Sequence, residues 1–148
     1  MSWSPYRGKF GTDWQNKTGS QVFTRGALVD VVSGLITVCT ITRAPHSGVI
    51  QKTVLSTDSD YTATTFLPLL TPATPLSEWK VSVLSTDTLA TTDVGNFLDI
   101  GGSPVGIDVT NATSADDAVV CTKFLGANLG AFRLNSFKGT QVGLGTAT

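Results

Sequence analysis

The sequence predicts an all-β protein: a single compact β-barrel or β-sandwich of short antiparallel strands, preceded by an extended N-terminal arm. Three observations carry that expectation. Threonine and serine recur in almost every segment, short apolar runs alternate with turn clusters at regular spacing, and helix-forming runs are missing, with Glu78 the only glutamate. Threonine is β-branched, loses rotamer freedom in a helix and packs well on a pleated strand.

With 148 residues, one domain with one core is the expected size class. The hydrophobic fraction is 41%, enough for a core, whereas the charged fraction of 14% is well below the roughly 25% of an ordinary soluble domain. Hydroxyl side chains must therefore cover much of the surface. No opening stretch has the basic start, apolar run and small-residue cleavage site of a secretory signal, and no window is apolar enough to span a membrane as a helix. Cys39 and Cys121 lie far apart in apolar, β-branched stretches and are expected as buried free thiols.

Three regions are expected: an arm over residues 1–26, a β-domain over residues 27–140 and a short tail over residues 141–148. In the arm, Trp3, Tyr6, Phe10 and Trp14 are interleaved with Arg7, Lys9, Lys17 and Arg25, without helical or alternating periodicity. Four basic residues against Asp13 give it a net charge of +3, which leaves −4 for the rest of a chain whose total is −1. These eight residues form the expected partner-binding surface, with aromatic rings as apolar anchors and cations to meet carboxylates on a neighbour. The alternative is that Trp3 to Trp14 cover an open end of the chain's own barrel.

From Ala27 the pattern becomes strand-like. ALVDVV and LITVCTI flank Ser33-Gly34, which reads as a hairpin or as one strand with a glycine bulge. Further candidates are residues 49–55, 62–70, 78–84, 95–100, 106–110, 117–125 and 131–137, spaced as in a barrel or sandwich. Pro68, Pro72, Pro75 and Pro104 cannot donate to a ladder and belong at edges or in loops. The segments at 54–65 and 83–95 both run from Val-Leu into Ser-Thr-Asp, either from an internal duplication or from repeated use of one Asp-containing turn.

Catalytic signatures are sparse. The single histidine, His46, lies in RAPHSG, a Pro/Gly-flanked turn, and is expected to be a solvated loop residue. No nucleophile elbow, phosphate-cradling loop or zinc-protease helix occurs. One histidine and two separated cysteines make a zinc or iron centre an unexpected feature. Asp58 with Asp60, and Asp116 with Asp117, are oxygen donors of the kind calcium takes, but their spacing suits turn capping better. Asp93 and Asp99 are read as turn and strand-edge residues, and Trp79 as core. The expectation is a protein without catalytic residues, cofactor or metal.

The stretch TTDVGNFLDIGGSPVGIDVTNATSADDAVVCTKFLG, Thr91 to Gly126, resembles the second half of small phage head proteins of the decoration or cement type. In both, a Val-Gly turn leads into an apolar-Asp strand, a Gly-x-Asp-Val-Thr segment follows, and an acidic turn opens a last hydrophobic strand. The resemblance implies a β-barrel or β-sandwich made in the host cytoplasm and placed on the outside of an icosahedral shell, stabilising it. Its partners would be the major capsid protein and neighbouring copies of itself, often as a trimer, with no nucleic acid and no membrane. Another virion component, such as a tail or head-fibre protein, and a carbohydrate-binding or adhesive surface module are the alternatives. A thin positive footprint in a slightly acidic chain argues against nucleic acid.

Overall fold

The computed structural model describes residues 2–39, 46–102, 105–110 and 118–135. Its described residues are all-β, in eleven strands arranged as two units. One unit is a closed five-stranded barrel of β2 (Phe10–Lys17), β4 (Leu35–Val38), β3 (Leu28–Val32), β5 (Gly48–Ile50) and β6 (Phe66–Pro72), in that order around the ring. The other is a six-stranded sheet ordered β1 (Ser4–Arg7), β7 (Glu78–Ser82), β11 (Leu129–Leu134), β10 (Val119–Gly126), β8 (Phe97–Gly101) and β9 (Gly106–Asp108). All named pairings are antiparallel except β2 with β4, where Asn16 meets Leu35 and Lys17 meets Ile36 in parallel and the barrel closes.

Strand alternation produces two cores. Along β3 and β6, Val29, Leu67 and Leu69 turn into the barrel, where they join Phe23, Ile36, Ile50 and Val54. The opposite face of the barrel offers Leu28, Cys39 and Val49 to the six-stranded sheet, whose Trp79, Val81, Ile100, Val119 and Phe132 complete the second core. Trp79 is fully buried, as expected, with Phe10 packed edge-on at a ring separation of 4.6 Å. Cys39 and Cys121 are both buried thiols and neither is in a disulfide, again as expected.

Residues 2–26 do not form an extended arm, which corrects the division expected at residue 26. Residues 4–7 pair with β7, residues 10–17 are a wall of the barrel, and Trp3 is a core residue whose indole nitrogen donates to the carbonyl of Val105 at 3.0 Å. The aromatics that look aperiodic are divided between two sheets by the break at Gly8, whose φ of 92° is left-handed. The tail expected over residues 141–148 lies outside the described residues.

Elsewhere each expected strand has a counterpart with shifted ends: β6 runs from Phe66 to Pro72 against the expected 62–70, and β11 starts at Leu129 against the expected 131. Ser33 and Gly34 make a two-residue hairpin between β3 and β4, with φ of 52° and 80° at its two central positions. That is the left-handed pair whose twist matches flanking strands. The repeated Val-Leu-Ser-Thr-Asp segments do share a backbone turn: Asp58 N–H donates to Leu55 at 3.0 Å and Asp87 N–H to Leu84 at 2.9 Å. Their carboxylates diverge, however. Asp58 accepts from its own turn at Leu55 N–H, whereas Asp87 accepts from the distant Val109 N–H, both at 2.8 Å.

Pro68 departs from the edge-or-loop rule, since β6 is paired on both sides. Its carbonyl accepts from Gln51 N–H on the β5 side, and in an antiparallel ladder the nitrogen of a residue faces the same way as its carbonyl. β5 ends at Ile50, so no ladder donor is required of Pro68.

Candidate functional site

The eight residues expected to bind a partner are not brought together. Trp3 and Lys17 are buried. Tyr6 and Phe10 are half-buried, and Arg7 is committed to Glu78 at 2.9 Å while lying over the Tyr6 ring. Lys9 and Arg25 are exposed at separate places. Lys17 instead ties the barrel wall to the 58–65 loop, its Nζ donating to the carbonyls of Tyr61 and Ala63 at 3.0 and 2.6 Å.

Trp14 alone of the four aromatics presents its ring to solvent, 59% exposed. Across the β2–β6 ladder it faces Pro68, and Phe66, opposite Asn16, is its diagonal neighbour on the same face and 63% exposed. Phe10 and Leu70 occupy the same face further along, where both are packed against the core shared with the six-stranded sheet. One apolar barrel face is thus covered at one end and bare at the other. Large exposed rings that adjoin on one face are uncommon on a lone soluble domain and, where they form a contiguous patch, mark interaction sites. On that face Asn16 donates to the Thr64 carbonyl at 2.6 Å and Thr12 is exposed, whereas Gln15, paired with the inward Leu67, lies on the other face and donates to Asp13 at 2.7 Å.

A second apolar surface lies on the six-stranded sheet. Leu76 and Phe97, both exposed, rim a shallow groove of about 270 Å³ that Val120, Arg133 and Leu134 help to line.

The structure overturns the expectation for His46. It is 8% exposed, buried just before β5, and its Nδ1 donates to Oδ1 of Asp30 at 2.8 Å. Sγ of Cys39 lies 3.3 Å from the same nitrogen. Asp30 is 1% and Cys39 7% exposed. Antiparallel pairing around β3 explains the meeting: Asp30 is in β3, Cys39 follows β4 and His46 precedes β5, and these strands flank β3 on either side. A cysteine–histidine–aspartate relay needs thiol and carboxylate on opposite ring nitrogens. Here both address Nδ1, while Nε2 is buried with no hydrogen-bond partner among the described residues.

The sequence contains a signal for this cluster. Asp30 interrupts the apolar run ALVDVV, and a carboxylate on a buried strand face must find a partner or lose stability. Its partners cannot be read from spacing because they arrive from two other strands. Beside the cluster, Cys39 also lines a half-open, largely apolar cavity of about 490 Å³ with Phe23, Leu28, Val38, Gly102 and Val105.

The aspartates otherwise act locally. Asp58 caps its turn, Asp60 accepts from Thr65 at 3.1 Å, and Asp93 accepts from Ala90 N–H at 2.8 Å. Asp99 is buried in β8 between β10 and β9, which corrects its placement at a strand edge. Asp116 and Asp117 lie outside the described residues. Cys121, on β10, has its thiol pKa pushed up by burial, so it is a poor nucleophile.

No protein-family model, curated protein or solved structure matches the chain.

Proposed function

We propose that this chain is a structural protein of a virus particle, a capsid decoration or cement protein that docks on the outer surface of a phage head and stabilises it without catalysing a reaction. The observation that carries the reading is the bare end of the barrel face, Trp14 with Phe66 around Pro68, continuous with the part of that face which the chain's own sheet covers. A largely apolar barrel face anchored by an exposed tryptophan suits completion by another protein. The low charge of the chain, the absence of a relay around His46 and the resemblance over Thr91 to Gly126 support the same reading.

Docking is assigned to the barrel wall rather than to a free arm. A sugar-binding module is the weaker reading because Asn16, the amide on the Trp14 face, already donates within the chain. Cosedimentation with heads stripped of this protein tests the proposal. Saturable binding at a fixed number of copies per particle is expected; no binding to heads, with binding to tails instead, would move the protein to another place in the virion.

A further inference from the structure

We infer that Asp30, Cys39 and His46 form a three-ligand site for a borderline divalent transition ion of the zinc class. The three residues each supply one donor atom, an oxygen, a sulfur and a nitrogen, and these atoms all lie within 4.8 Å of one another in a buried position. Around a tetrahedral ion, bonds of about 2.0–2.3 Å place neighbouring donors roughly 3.3–3.6 Å apart. The Nδ1–Sγ separation of 3.3 Å is within about 0.3 Å of the roughly 3.6 Å that a nitrogen–sulfur pair needs, and the Nδ1–Oδ1 separation of 2.8 Å is that of a hydrogen bond. As the ion enters, Cys39 releases its thiol proton to solvent and the imidazole proton moves from Nδ1 to Nε2, so Nδ1 ligates as a neutral imidazole; the hydrogen bond to Asp30 is lost and the two atoms part by about half an ångström.

The donor set selects the ion class. A thiolate and an imidazole favour zinc-like ions, whereas calcium and magnesium take oxygen. One thiolate and one carboxylate balance the two charges of the ion, so the ion and its three ligands are together neutral, which suits burial. Among the described residues no fourth histidine, cysteine or acid joins the group. The site borders the 490 Å³ cavity through Cys39, a route by which water or a small ligand reaches the ion. Binding would clamp the region after β4 and the region before β5 to β3, the middle strand of the three. The inference does not depend on the docking reading.

Cobalt(II) titration of the reduced, chelator-treated full chain is the test, because thiolate ligation gives a near-ultraviolet charge-transfer band. One equivalent should produce that band, and zinc should displace it. Cys39→Ser should abolish the band, Asp30→Asn should weaken binding at least about tenfold, and Cys121→Ser should leave it unchanged, with circular dichroism confirming that each variant folds. A measurement on the unaltered chain guards against misfolded variants: zinc should slow alkylation of Cys39, read by peptide mass mapping, at least about tenfold and leave Cys121 unaffected. A folded chain that gives no band with cobalt, keeps the band in Cys39→Ser, or shows no zinc protection of Cys39 overturns the assignment.

Discussion

Arg7 on β1 directs both Nε and Nη2 at one oxygen of Glu78 on β7, at 3.3 and 2.9 Å, and Thr122 on β10 donates to that same oxygen at 2.6 Å. Burial of the Glu78 carboxylate raises its pKa, but the hydrogen bonds from Arg7 and Thr122 outweigh burial and leave it below the ordinary value. A group with a depressed folded pKa adds stability above its unfolded pKa, and that contribution is lost as pH falls through the folded pKa. Glu78→Gln should thus lower stability at neutral pH by about 1 kcal/mol. The gap from wild type should close in acid, below the depressed pKa, as measured by denaturant midpoints across pH. A gap independent of pH would show that the charge is not responsible.

Gly34 provides a test of backbone conformation alone. Its φ is 80°, and a Cβ added there meets nothing within 4 Å. Gly34→Ala should cost about 1–2 kcal/mol through the left-handed backbone, with no steric part. Gly34→Asn should recover much of that loss, since asparagine tolerates this region. Equal thermal midpoints for the alanine variant and the wild type would contradict the hairpin.

Lys17 is fully buried and serves two loop carbonyls. Lys17→Met keeps the apolar stem but leaves both acceptors without their donor, so it should destabilise by about 2–4 kcal/mol. The expected mark is a lower urea midpoint at an unchanged slope. A neutral result would mean that water replaces the amine without penalty.

The strand content was legible because β-branched residues and turn clusters alternate along the chain, and the Ser33-Gly34 hairpin was readable from two residues. What the sequence concealed was long-range. Trp3, Phe10 and Trp14 look alike as a string, yet pairing puts the first in the core, the second against Trp79 and the third in solvent. Lys17 looks like part of a basic surface, but parallel pairing with Ile36 turns it inward. His46 sits in a segment with the composition of an exposed turn, and only the ladder around β3 brings it to Asp30 and Cys39. Local composition indicates which residues form strands; it does not indicate which face a strand offers to a sheet formed by distant residues.

The bare end of the barrel face is the feature on which the functional account depends, and replacing its two rings tests it most directly. Binding of Trp14→Ser/Phe66→Ser to stripped phage heads should be at least about 100-fold weaker than that of the wild type, since large aromatic anchors each contribute about 2 kcal/mol or more. Both residues are largely exposed, so the double variant should keep the wild-type circular dichroism spectrum. Full-strength binding by the folded double variant would contradict the account.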